Sequence, residues 1–468
     1  MEVEENVKPT ESIVRPLLAA MASFFCQFQM GAILGQSSTM LPQLEAADSL
    51  IPISKETASW IAAIGVIGTP ISSILCGPLC DKIGRKSVIR LHFLTSAIGH
   101  VIVGVSSNVH EILIGRAILG ISQGFGFPST VYISEICTPI HRSFLLYMCT
   151  VSSSLGLVYV YAIGRLLPYD ITSLVTASLG IFSLIYAFFI PESPPWLFQN
   201  HCLNEAIESL KWLKGPNVNM EDELKYLKDA CQDWPKDNTS IFKQFLLPTV
   251  FKPFMILLTI SFLQNATGFY ILLYYSVDFM QEFKTAYDPG LVSIGIAVTR
   301  LVSCTIASMI INQLNRKILG SFSGYGMGVV LAVVFGYLYT ANGDVTFLSD
   351  YSVIPVICMV LFVFTCGFGV HPLPWLMIYE LYPLNVRGRM CGVSNGMNYV
   401  FTFIFLKLYY IFIFGLGFTG TIILFMISAF LFGLFSTFVL PETQGKTLVQ
   451  IEREFRPKAD REKATTVI

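Results

Sequence analysis

The chain has 468 residues, 53% of them hydrophobic and 13% charged, about half the charge of an ordinary soluble domain. Its net charge is −1, so no charge excess points to nucleic acid or to acidic substrates. The eleven cysteines are scattered, mostly through apolar segments and without a CxxC pair, which argues against a disulfide framework or a zinc site.

The first residues are acidic and the first apolar stretch is long, which predicts a retained helix rather than a cleaved signal peptide. Beyond that point charge disappears for long intervals. No Asp, Glu, Lys or Arg lies between Arg15 and Glu45, Asp170 and Glu192, Lys317 and Asp344, Asp350 and Glu380, or Lys407 and Glu442. A membrane span needs about 20 mostly apolar residues. Twelve spans are predicted: 17–41, 57–80, 88–106, 112–136, 143–164, 171–190, 252–277, 290–313, 318–341, 352–379, 390–407 and 417–440. Backbone groups in lipid must be paired internally, so each span should be helical. The predicted fold is all-α and integral to the membrane. A tail (1–16) precedes a six-helix bundle (17–191), a polar linker (192–251), a second six-helix bundle (252–440) and a closing tail (441–468).

Most of the 30 Lys and Arg fall in the tails, the linker and the even-numbered connections, which places both termini and the linker in the cytoplasm. The expected setting is the plasma membrane. Within the linker, 202–213 and 221–231 carry apolar residues at helical spacing. Leu203, Ile207, Leu210 and Leu213 can share one face, as can Leu224, Leu227 and Cys231. Short amphipathic helices under the membrane domain are expected. The sequon at Asn238 lies on the cytoplasmic side and should be unmodified.

The two halves echo each other. Asp81-Lys-Ile-Gly-Arg85-Lys86 answers to Asn312-Gln-Leu-Asn-Arg316-Lys317. Glu135 precedes Arg142 by seven residues, as Glu380 precedes Arg387, and Pro191-Glu192-Ser193 answers to Pro441-Glu442-Thr443. Three paired motifs in one order predict two parallel repeats related by an axis along the membrane normal. The carboxylates of Glu135, Glu192, Glu380 and Glu442 can pair with Arg85, Arg142, Arg316 and Arg387, with Asp81 beside them. Such pairs can hold the halves together on the cytoplasmic side and must break when that side opens.

These motifs, with Gly115-Arg116, Tyr132-x-Ser134-Glu135, Trp196, Pro372-x-Pro374-Trp375 and Arg387-Gly388, make the chain similar to the sugar porters of the major facilitator superfamily over nearly its whole length. The closing run Pro441 to Arg453 most resembles the facilitative trehalose transporters of insects. The resemblance implies alternating access around a central site for a small sugar, trehalose or a hexose. It implies sugar ligands mainly from the seventh, eighth, tenth and eleventh helices. It calls for no cofactor and no metal. The partners are the sugar and the bilayer, with no obligate protein partner.

A sugar site needs amides and hydroxyls that donate and accept, and a flat aromatic for the ring face. Such groups are expensive inside a membrane, so they suggest a cavity. The candidates are Gln264, Asn265 and Tyr270 on the seventh span, Thr150 on the fifth, Arg300 on the eighth, and Asn398 and Thr402 one turn apart on the eleventh. Trp375, after two prolines that should break the tenth helix, takes the stacking and gating role by resemblance. Singly, each amide could instead be interhelix glue. The family's pattern is altered at Thr150, Tyr270, Arg300, His371 and Tyr399, and at the cytoplasmic face at Ser143, Asn312 and Asn315.

Arg300 should sit near mid-bilayer, where a charge costs at least ~2.5 kcal/mol on insertion scales. A water-filled cavity, a carbonyl cluster or an anionic ligand would offset that cost. Proton-driven porters of this resemblance carry an acid in the first span near Arg116. Here Gly35 takes its place, and facilitated diffusion is expected. The alternatives are a carrier of a sugar acid or other small organic anion, and a sensor that binds without flux. No nucleophile–base–acid set stands out, so an enzyme is not expected.

Overall fold

The computed structural model describes residues 14–455, apart from 47–48, 138, 216–219, 222, 225–244, 246, 311–312, 342–343, 383–386, 445–449 and 452–454. Every regular element among the described residues is a helix. The first half contains α1 (Val14–Glu45), α2 (Lys55–Ile83), α3 (Arg85–Gly104), α4 (Val109–Phe125), α5 (Pro128–Ile136), α6 (Pro139–Leu166) and α7 (Tyr169–Phe189). Two short helices follow, α8 (Pro194–Gln199) and α9 (Leu203–Lys214). The second half contains α10 (Pro248–Ala266), α11 (Phe269–Tyr274), α12 (Ser276–Gln281), α13 (Pro289–Ile310), α14 (Arg316–Ala341), α15 (Val345–Asp350), α16 (Val353–Cys366), α17 (Pro372–Leu381) and α18 (Arg387–Phe438).

Nine of the described helices are long and apolar enough to cross a membrane alone. The twelve crossings emerge once interruptions are read correctly. Helix α18 is two spans joined at Gly417, whose φ of 72° no helix tolerates. The fourth span is α4 plus α5, with Pro128 opening the second piece. The tenth is α16 plus α17, interrupted before Pro372. The seventh is broken at Gly268, whose φ of 79° leaves no room for a side chain: a Cβ there would lie 2.4 Å from the Phe425 ring. Twelve helices thus form two pseudo-symmetric six-helix bundles.

The bundles are tightly built where small residues face each other. A Cβ on Gly31 of α1 would lie 1.9 Å from the Ser153 carbonyl oxygen of α6, and one on Gly156 would lie 1.9 Å from that of Phe28. Close backbone approach through small residues is how helices associate without a hydrophobic drive. Between the bundles, α2 crosses α18 and α6 runs along α13.

Helix α9 covers most of the segment 202–213. Ala206, Ser209, Leu210 and Leu213 are buried, although Leu203 is not. The Ser209 hydroxyl donates to the Glu192 carbonyl at 2.6 Å, and Arg15 donates to the Lys211 and Trp212 carbonyls. The start of α1 and the linker therefore share one side of the molecule, here called the linker side. Most of the segment 221–231, and Asn238, lie outside the described residues.

Candidate functional site

The repeated motifs become two copies of one local structure. Helix α3 begins immediately after Gly84, and Glu192 accepts its free N–H groups from Arg85 at 3.1 Å and Lys86 at 3.0 Å. Gly84 has φ 89°, and a Cβ on it would meet the Glu192 carboxylate at 2.3 Å. In the second half, Glu442 caps α14 in the same way, from Arg316 at 3.1 Å and Lys317 at 3.2 Å. Arg85 pairs with Glu135 at 2.9 Å, and Arg316 with Glu380 at 3.2 Å. The hydroxyls of Ser193 and Thr443 complete the copies by donating to Glu135 and Glu380. Asp81 is mostly exposed and lies 3.8 Å from Arg85. Burial pushes the Glu192 carboxyl above the usual carboxylate range, although the N–H groups of Lys86 and Ser193 favour its charge.

Each of these described contacts ties helices within one half, not across halves as expected from the sequence alone. The reason is visible in the cavity. A cavity of about 270 Å³ runs from Tyr270, Arg300 and Trp375 to Tyr147, Arg316 and Glu380, so it reaches the motif level on the linker side. The cavity separates Tyr147 of the first half from Arg316 and Glu380 of the second there, and each carboxylate turns to partners in its own bundle. The side chains of Arg142 and Arg387 lie outside the described residues, as does Asn312.

The far side is shut. The Tyr161 hydroxyl donates to the Leu273 carbonyl at 2.5 Å, and the Val277 N–H to the Ser38 hydroxyl at 3.2 Å. Arg165 pairs with Asp288 at 2.8 Å, and Lys407 lies 3.9 Å from the Trp60 ring centroid. Tyr275 stacks on Tyr409 with centroids 4.9 Å apart. The break at Gly268 lets the short α11 and α12 bend over the cavity roof, carrying Leu273 and Val277 to these contacts.

The predicted ligands divide into two groups. Tyr270, Arg300, Trp375, Thr402 and Thr150 line the cavity. Gln264, Asn265 and Asn398 do not. They are 0%, 1% and 1% exposed and bond to one another and to backbone. Gln264 donates to the carbonyls of Val370 at 2.7 Å and His371 at 3.1 Å, and accepts from Asn398 at 3.1 Å. Asn265 donates to the Ser261 carbonyl at 2.9 Å, and its oxygen accepts from Thr402 at 2.8 Å. This knot fastens α10, α18 and the interrupted tenth span behind the cavity wall. Sequence reasoning did not place Gln27, Gln123, Ser153 and Tyr274 on the wall. Gln27 and Ser153 are polar groups inside charge-free spans, which is the one signal that could have marked them.

Two arginines are buried at membrane depth. Arg116 is fully enclosed by neutral acceptors: Gln36 at 3.1 Å, Ser37 at 2.6 Å, and the carbonyls of Ile33 and Ile61 at 3.4 Å. No carboxylate is among these partners. Gly35 leaves space filled by Leu157, Val160 and Tyr161. Arg300 donates from Nη2 to Nε2 of His371 at 3.1 Å.

Comparison with known proteins decides the family. The model of the family described as "Sugar (and other) transporter" matches residues 16–455. The chain belongs to that sugar transporter family. Two relatives are facilitated trehalose transporters: that of Bombyx mori is 29% identical over 93% of this chain and 86% of its own, and that of Apis mellifera ligustica is 29% identical over 94% and 88%. Among solved structures, a partially occluded inward-open form of the xylose transporter XylE from E. coli superposes with a TM-score of 0.75 at 18% identity, covering 93% of this chain and all of that one. The likeness in structure establishes the major facilitator fold. This family member is therefore a multi-pass membrane transporter and not an enzyme.

Proposed function

We propose that the chain is a facilitative carrier of a small sugar, working by alternating access with the linker side and both termini in the cytoplasm. The observation that carries the reading is the cavity. It is open at one end and sealed at the other. Its wall combines the rings of Tyr270, Trp375 and Tyr399 with the polar groups of Thr150, Thr402 and Gln123. Rings offer the flat apolar face a pyranose needs, and the polar groups offer donors and acceptors for its hydroxyls. Trp375 and Tyr399 meet edge to face at 5.9 Å. The facilitated trehalose transporters among the relatives support the same substrate class.

The cage around Arg116 supports uniport. A coupling proton needs a titratable group in contact with the moving parts. The partners of Arg116 are amide, hydroxyl and backbone carbonyl. In this reading the outer contacts break and the capped arginines of the two halves approach when the cycle turns. The excess of Lys and Arg in the tails and linker supports the cytoplasmic assignment, and the plasma membrane is the proposed residence. The proposed units are the bundles 17–191 and 252–440, joined by 192–251.

The test is uptake of labelled trehalose, glucose and xylose into liposomes holding the purified chain. The expected result is saturable equilibration of at least one sugar, unchanged by a pH gradient. Uphill accumulation driven by protons would overturn uniport. No saturable flux of any sugar would overturn the carrier assignment.

A further inference from the structure

We propose that the cavity selects a sugar that carries a carboxylate, a uronic or aldonic acid, and that Arg300 and His371 receive it. The proposal rests on the reading of the chain as a sugar carrier and narrows its substrate class.

Arg300 is 3% exposed, lines the cavity and sits in the interior of α13. A guanidinium only donates, and it stays charged. Its bond to Nε2 of His371 therefore makes that nitrogen an acceptor and places the imidazole proton on Nδ1. Nδ1 of His371 has no hydrogen-bond partner in the protein, and neither do Nε and Nη1 of Arg300. Three donor atoms on two adjacent, buried side chains of the cavity wall thus lack an acceptor. Buried polar groups are nearly always satisfied, and an exception calls for an explanation.

The charge around Arg300 points the same way. Among the described residues no carboxylate forms an ion pair with Arg300. Among the described residues of the cavity wall the one carboxylate, Glu380, is held by Arg316. The wall therefore carries a net positive charge at its deep end. Arg116, equally buried, shows that this protein can satisfy an arginine with neutral groups where no ligand reaches it. A neutral sugar would offer Arg300 hydroxyl acceptors but leave its charge uncompensated. A carboxylate supplies acceptors and countercharge together.

The experiment compares labelled glucuronate with labelled glucose, which share a ring and differ at one carbon, in liposomes holding the full chain. Wild type should favour glucuronate at least tenfold. Because a monoanion moves charge, an inside-positive potential of 100 mV set by potassium and valinomycin should drive glucuronate to about fifty-fold accumulation. Glucose should only equilibrate. In Arg300→Gln the glucuronate-to-glucose ratio should fall at least tenfold, and Arg300→Lys should restore part of it. Should Arg300→Gln not fold, the response of wild type to potential decides alone. Saturable glucose flux with no preference for glucuronate, or a ratio unchanged in Arg300→Gln, overturns the proposal and leaves the sugar carrier standing. Flux of neither by well-folded protein overturns both readings.

Discussion

Arg116 and Arg300 are both buried inside membrane-spanning helices of opposite halves, yet the protein treats them differently. The first half surrounds its guanidinium with four neutral acceptors. The second half gives its guanidinium one imidazole nitrogen and leaves two nitrogens idle. Arg116 sits where α1, α2 and α4 converge and can draw on a Gln, a Ser and two carbonyls. Arg300 lines the cavity wall, and its Nε and Nη1 are buried there without a hydrogen-bond partner. The contrast teaches that a buried charge marks a candidate ligand contact only when its surroundings stop short of satisfying it.

Substitutions test this contrast directly, and the largest effect is expected at Arg116. Arg116→Leu removes the donor for Gln36, Ser37 and two carbonyls and should cost about 1–3 kcal/mol for each acceptor left unpaired, read as thermal unfolding in detergent. A change below ~1 kcal/mol would show that the cage is not cohesive. Gln264→Leu should come second. It removes the Gln264 donor from the carbonyls of Val370 and His371 and leaves the Asn398 amide only Ser261, at about 1–3 kcal/mol. Its signature is lost thermal stability, with substrate affinity in the surviving protein changed less than by a cavity-wall substitution such as Trp375→Ala. Arg300→Gln comes third and should carry the opposite sign, with unfolding unchanged or shifted upward by up to ~1 kcal/mol, since few bonds are lost and a buried charge is relieved. A loss comparable to that of Arg116→Leu would erase the distinction.

The smallest effect is expected at the far-side pair. Arg165 and Asp288 are partly exposed, and Arg165→Ala should shift closure by less than ~1 kcal/mol, read as labelling of a cysteine placed in the roof. The hydrogen bond from Arg165 holds the Asp288 carboxyl below the usual carboxylate range. A depressed carboxylate contributes above its ordinary value, near 4, and that contribution is lost as pH falls through the lowered one. Labelling should therefore be flat from pH 6 to 8 and rise only in acid. A rise near neutrality would place the responsible group elsewhere.

Much of the fold was legible in the residues. Charge-free intervals located the spans. The second and third motif pairs, at Glu135 and Glu380 and at Glu192 and Glu442, make the same capping and pairing contacts in each half. The site was less legible. Helical spacing put Gln264, Asn265 and Asn398 on coherent faces, but a face says nothing about whether a cavity or a neighbouring helix lies opposite. The acceptors of Gln264 come from residues 370 and 371, more than 100 positions away. The link between Arg300 and His371 spans 71 positions and could not be read from either local pattern.

The reciprocal notches at Gly31 and Gly156 have a mechanical consequence. With a hydrogen atom in place of each side chain, α1 and α6 touch backbone to backbone at two levels, so neither can slide or roll against the other. The first and fifth crossings should turn as one stiff rod. A push on Thr150 or Ser153 from inside the cavity would then reach Ser38, at the opposite end of the neighbouring helix, without slack.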